Sequence, residues 1–166
     1  DNTMIVMYGD HYGISDNHNR AMEQILGEEV TPIVNADLQR VPLLIYVPGM
    51  EGGINHTYGG QMDLLPTVLH LLGVETQNNI HFGTDLLSED HSQVVPFRNG
   101  NFVSPTIYSL DGKYYDRQTG LILDSSQYEH AEKLSAMVEE KLNYSDKVVN
   151  GDLLRFYSKD GKVIEE

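Results

Sequence analysis

Thr3-Met4-Ile5-Val6-Met7-Tyr8-Gly9-Asp10-His11-Tyr12-Gly13 opens as an unbroken run of apolar and β-prone residues. It then breaks at a glycine into an adjacent carboxylate and imidazole. A continuous apolar run, rather than an alternating one, predicts a strand covered on both faces, as in a parallel sheet. In open α/β sheets, ligands bind beyond the carboxyl ends of the strands. Asp10 and His11 are therefore the first candidates for chemistry. Asp offers a hard oxygen and neutral His a nitrogen, a pair suited to Mn²⁺, Mg²⁺ or Zn²⁺, and two ligands do not choose among them. Glycines on both sides let the backbone turn sharply enough to aim both side chains at one ion. The plainer reading makes Asp10 a loop or cap residue and His11 a hydrogen-bonded surface histidine. Placement directly after a buried strand favours ligands.

Outward from this stretch, residues 15–19 offer helix N-caps, and residues 20–26 predict a short helix stopped by Gly27. Residues 42–47 predict a second buried strand between Pro42 and Pro48, with a Gly-rich turn after it and a short strand at 55–58. Residues 61–72 predict a helix with Pro66 in its first turn and Gly73 just past its end. Apolar residues cover most of that helix, so deep packing is expected. Beyond residue 92 short β-prone segments follow one another. Asp111-Gly112 suits a type I′ hairpin turn, and 121–123 predicts a further strand. Ser126 with Glu129 reads as a capping box opening a helix to about residue 143, with Ala131, Leu134, Val138 and Leu142 as its buried stripe. The expected fold class is α/β: the end of a sheet domain over residues 1–92. A small α+β subdomain over residues 93–166 follows, with an antiparallel sheet and a C-terminal helix.

Bulk properties narrow the partners. A net charge of −14 disfavours nucleic acid and direct adhesion to an anionic membrane surface. An anionic substrate then needs a local attractor, which a bound divalent cation supplies. The absence of cysteine excludes disulfides and thiolate metal sites. No stretch approaches the roughly 18 apolar residues of a membrane span, and no signal peptide is visible. The chain starts at Asp1 and enters a strand at once, which is expected of a dissected or processed piece whose anchor lies upstream.

The Asp-His pair after a hydrophobic strand resembles the alkaline phosphatase and sulfatase superfamily. So do Val41-Pro42-Leu43-Leu44-Ile45-Tyr46-Val47-Pro48-Gly49 and the Asp-x-x-Pro-Thr pattern of Asp63, Pro66 and Thr67. With Val95-Pro96-Phe97-Arg98-Asn99-Gly100 and Gly151-Asp152-Leu153-Leu154-Arg155-Phe156-Tyr157, the likeness narrows to the lipoteichoic acid synthase family. It resembles the end of the extracellular catalytic domain of those enzymes, over nearly the whole chain.

The resemblance implies a metal-dependent transfer of glycerol phosphate from phosphatidylglycerol to a growing glycerophosphate polymer. Asp10 and His11 would be metal ligands, with Mn²⁺ foremost and Mg²⁺ the alternative. It also implies a threonine nucleophile and a glutamate ligand upstream of this chain, so this chain alone is expected to be inactive. Its partners would be the upstream part of the same catalytic domain, the phosphatidylglycerol head group and the polymer. It would sit at the extracellular face of a Gram-positive cell membrane, or be released from it. His56, in a Gly-rich segment, is a candidate substrate contact or a histidine held by backbone groups. Thr67 is not assigned as nucleophile, because it sits inside the packed Pro66 helix. His70 reads as a core or boundary histidine, and His18, His81, His91 and His130 need no special role. The alternatives are another hydrolase of the superfamily and a non-catalytic module that binds cell-wall polymer.

Overall fold

A computed structural model describes residues 2–11, 14–76 and 80–156. Tyr12 and Gly13 of the Asp-His loop, and Tyr157, lie outside the described residues. The chain forms two compact units, Asp1–His56 and Thr57–Glu166. It is a mixed α/β chain with antiparallel sheets and a C-terminal helix, as its fold class predicts.

In the first unit, β1 (Ile5–Tyr8) pairs antiparallel with β2 (Leu43–Tyr46), in the register Ile5 to Tyr46 and Met7 to Leu44. Here the expectation of buried, parallel strands is corrected. Ile5, Met7, Leu44 and Tyr46 share one face of the ribbon and are 47–59% exposed. The unbroken apolar pattern specifies strands able to be covered on both faces, yet among the described residues of this unit nothing covers that one. Gly9 is required by a close approach, since a Cβ there would lie 2.6 Å from Val41 Cβ.

Between the strands, α1 (Asn19–Leu26) ends at Gly27, whose φ of 74° is the left-handed C-terminal geometry expected of it. A second helix, α2 (Pro32–Leu38), was not foreseen. Its signal is local: the Thr31 side chain accepts from Val34 N–H, and Pro32 stands at the first helical position. The strand expected at 55–58 is irregular chain.

In the second unit, a 3₁₀ turn (Gln61–Asp63) leads into α3 (Leu64–Leu71). Only Pro66 and Thr67 of α3 are buried, while Leu65 and Leu72 are 51% and 57% exposed. The expected burial around the whole helix is thus corrected to one face within this unit. The sheet follows as β3 (Val95–Pro96), β4 (Phe102–Val103), β5 (Ile107–Leu110) and β6 (Lys113–Asp116), antiparallel in chain order. Asp111 and Gly112 turn β5 into β6 with φ of 51° and 74°, the double positive φ of the type I′ turn. The strand expected at 121–123 is reduced to a single bridge between Tyr115 and Ile122.

The long helix α4 (Tyr128–Asn150) runs seven residues past its expected end at 143. A 3₁₀ turn (Ser125–Gln127) leads into it, and the capping box Asp124 with Gln127 opens that turn, two residues before the Ser126–Glu129 pair expected. Phe102, Ala131 and Val138 are at most 1% exposed, and pack with Val94, Ile107 and Leu123 between sheet and helix. Each large apolar side chain buried there contributes about 1.5–3 kcal/mol. Tyr114 and Tyr128 meet edge to face with centroids 5.2 Å apart.

Candidate functional site

The end of β1 delivers Asp10 and His11 side by side. Gly9 stays in register through its N–H, which donates to the Pro42 carbonyl (3.0 Å), and the chain leaves the ribbon immediately after. Asp10 Oδ1 and His11 Nε2 stand 3.7 Å apart, with side chains 85% and 74% exposed. An oxygen and a nitrogen at that spacing fit one divalent ion bonded at about 2.0–2.2 Å to each. Two donors do not complete a coordination shell. Among the described residues, no three His, Cys, Asp or Glu side chains gather into a cation site. His56 is exposed in irregular chain of the same unit.

The Asp-x-x-Pro-Thr segment is built differently. Asp63 is 4% exposed and its carboxylate accepts from Gly60 N–H and Thr84 N–H, both at 2.8 Å. Thr67 is 1% exposed. Its hydroxyl donates to the Asp63 carbonyl (2.6 Å) and accepts from Leu86 N–H (2.9 Å). A hydroxyl buried and committed in this way is no nucleophile, in accord with leaving Thr67 unassigned.

His91, passed over in the sequence, is a buried member of the same network. Its Nε2 donates to the Tyr58 carbonyl (2.7 Å), so its Nδ1 is the atom in short contact with the Thr84 hydroxyl. The carboxylate of Asp63 lies 4.0 Å from Nε2. Gly83 packs so tightly here that a Cβ would lie 2.0 Å from the Met62 carbonyl oxygen. These residues fasten the 81–91 loop to the start of α3. His70, by contrast, is a surface residue, 60% exposed and paired with Asp85 at 2.5 Å.

Among the described residues no helix is long and apolar enough to cross a membrane. Residues 1–74 match the sulfatase family model. The chain is 52% identical to lipoteichoic acid synthase 2 of Bacillus subtilis over 97% of its own length, covering 25% of that protein. It is 54% identical to lipoteichoic acid synthase 1 of the same organism over 95% of its length, covering 24% of that protein. Against lipoteichoic acid synthase of Staphylococcus aureus the identity is 50%, over 95% of this chain and 24% of the relative. The chain thus spans about a quarter of the length of the curated relatives it matches. Residues 1–74 thus resemble the sulfatase family, and the chain is similar over nearly its whole length to about a quarter of the length of these lipoteichoic acid synthases.

Proposed function

We propose that this chain is the C-terminal part of the catalytic domain of a metal-dependent phosphoglycerol transferase. That enzyme polymerises glycerol phosphate, taken from phosphatidylglycerol, into lipoteichoic acid. The observation that carries this reading is the Asp10–His11 pair, poised at the end of a strand inside the segment that matches the sulfatase family. Identity of 50–54% to synthases across nearly the whole chain supports it.

In this reading Asp10 and His11 each give one donor atom to a divalent ion, Mn²⁺ in the first place and Mg²⁺ as the alternative. When bound, such an ion neutralises charge on phosphoryl oxygens and favours the ionised form of a hydroxyl nucleophile. Asp10 supplies negative charge to hold the cation, and His11 supplies a neutral nitrogen that fixes direction. Neither acts as general base. His56 is a contact to the substrate head group. The threonine nucleophile and the remaining ligands come from polypeptide outside these 166 residues, at the extracellular face of a Gram-positive membrane. Residues 1–92 complete the catalytic sheet domain and residues 93–166 form the small subdomain.

Metal content and turnover of the whole enzyme test the proposal. Asp10→Ala is expected to remove metal and activity together while the fold persists, because the side chain lies beyond the strand in solvent. His11→Ala is expected to do the same less completely. The unmodified 166-residue chain is expected to show no turnover of phosphatidylglycerol. Wild-type metal occupancy and rate in either variant would overturn the site.

A further inference from the structure

Asn-Gly occurs twice in the chain, at Asn99-Gly100 and Asn150-Gly151. In such a pair the main-chain nitrogen of the glycine can reach the side-chain carbonyl carbon of the asparagine and close a five-membered ring. Glycine has no Cβ to shield that nitrogen or to restrict its approach. The fold sets the two pairs in opposite circumstances.

Asn99 and Gly100 form the exposed tip of the turn that joins β3 to β4. Gly100 has a φ of 87°, and nothing lies within 4 Å of where its Cβ would be. Its N–H is held by one turn bond, to the Phe97 carbonyl at 3.0 Å. A single exposed bond of this kind opens readily. The Asn99 amide is meanwhile activated, because the Asn101 N–H donates to Asn99 Oδ1 at 3.1 Å. Attack on the amide carbon places negative charge on that oxygen, so a donor already aimed at it stabilises the transition state. Asn101 is itself fixed, since its side-chain oxygen accepts from Asp111 N–H at 3.1 Å. Asn150, by contrast, is the last residue of α4, and Gly151 N–H donates to the Lys147 carbonyl at 3.0 Å. Helical backbone turns the following nitrogen away from the side-chain carbonyl.

We propose that Asn99 is a site of spontaneous modification, at which the turn between β3 and β4 converts an amide to a carboxylate. Gly100 N bonds to Asn99 Cγ, the Cγ–Nδ2 bond breaks, and ammonia leaves with the proton that the main-chain nitrogen gives up. Water then adds to one of the ring carbonyls. Opening on one side gives aspartate, and on the other an isoaspartyl link whose main chain runs through Cβ and Cγ. Both products set a carboxylate beside Arg98, in competition with Asp146 of α4, which Arg98 already contacts closely. The isoaspartyl link also lengthens the turn by a methylene group, against the bond from Phe97 N–H to the Asn101 carbonyl (2.8 Å) that closes it. Modification thus loosens the hold of this turn on α4.

Peptide mapping of the whole enzyme after long incubation in mildly alkaline, heavy-oxygen water tests this. Label and isoaspartate are expected at residue 99, with Asn150 converting at least about tenfold more slowly, the rate effect of roughly one hydrogen bond to the transition state. In urea the preference is expected to vanish. Asn99→Ser keeps an acceptor for the Asn101 N–H but has no carbonyl to attack. Its Phe97 amide is therefore expected to exchange hydrogen at an unchanged rate after incubation, while in the modified wild-type fraction that amide exchanges faster. The proposal is overturned if Asn99 keeps its amide, if Asn150 converts as fast, if the preference survives in urea, or if modified and fresh protein exchange alike at Phe97.

Discussion

At the scale of single residues, Thr67 makes the sharpest statement about stability. Its hydroxyl is both donor to the Asp63 carbonyl and acceptor for Leu86 N–H, with 1% of the residue exposed. Thr67→Val keeps the shape and removes both bonds, leaving the Leu86 N–H buried without an acceptor. We expect a loss of about 1–3 kcal/mol in urea unfolding, with Thr67→Ser losing much less. Equal stability of the valine variant would mean that the network is ornamental. The placement of Asp10 and His11 just beyond β1 was legible because its information is local: a carboxylate and an imidazole follow directly after the strand. His91 was not legible, because its partners lie seven and 33 residues away and nothing near it in sequence announces them. The Asp-x-x-Pro-Thr spacing was visible as a pattern. That its Asp and Thr are structural struts emerged only once the 81–91 loop was seen folded over them.

At the scale of elements, the Asp124 cap of the 3₁₀ turn that leads into α4 carries a pH dependence of defined sign. Hydrogen bonds from the Ser126 hydroxyl and then its N–H hold the Asp124 carboxyl below its ordinary value. A lowered native pKa means that the cap is fully in place above the unfolded carboxylate range, near 3.9. Its contribution is lost as pH falls through the lowered native value. We expect the melting temperature of wild type and Asp124→Asn to converge as pH is lowered through that window, with wild type ahead above it. A gap that widens towards acid would refute the assignment. The small sheet, its Asp111-Gly112 turn and the stripe on α4 were readable because turn chemistry and helical period are strong local signals. The cap was misplaced by two residues because Asp124 and Ser126 are both good caps and only backbone geometry separates them. The direction of β2 was misread for a similar reason. Burial on both faces and parallel pairing usually travel together, but an apolar run contains no information about which way its neighbour points.

At the scale of the whole molecule, the β1–β2 ribbon stands out: Ile5, Met7, Leu44 and Tyr46 present one continuous apolar face. Exposed apolar patches of this kind bind hydrophobic dyes. The 166-residue chain is therefore expected to enhance the emission of an anilinonaphthalene dye, and Leu44→Lys to reduce that enhancement clearly. Emission indifferent to this substitution would show that the face is covered in solution. The second unit offers a different optical handle. The chain contains ten tyrosines and no tryptophan, so no indole masks the phenol signals. The perpendicular pair of Tyr114 and Tyr128 couples β6 to the first turn of α4, and the Tyr114 hydroxyl is tied to Ser135. Two rings fixed at 80° form a chiral pair of chromophores. The docking of α4 on the sheet thus has an intrinsic near-ultraviolet dichroic signature that needs no label, and Tyr128→Leu would extinguish its main component.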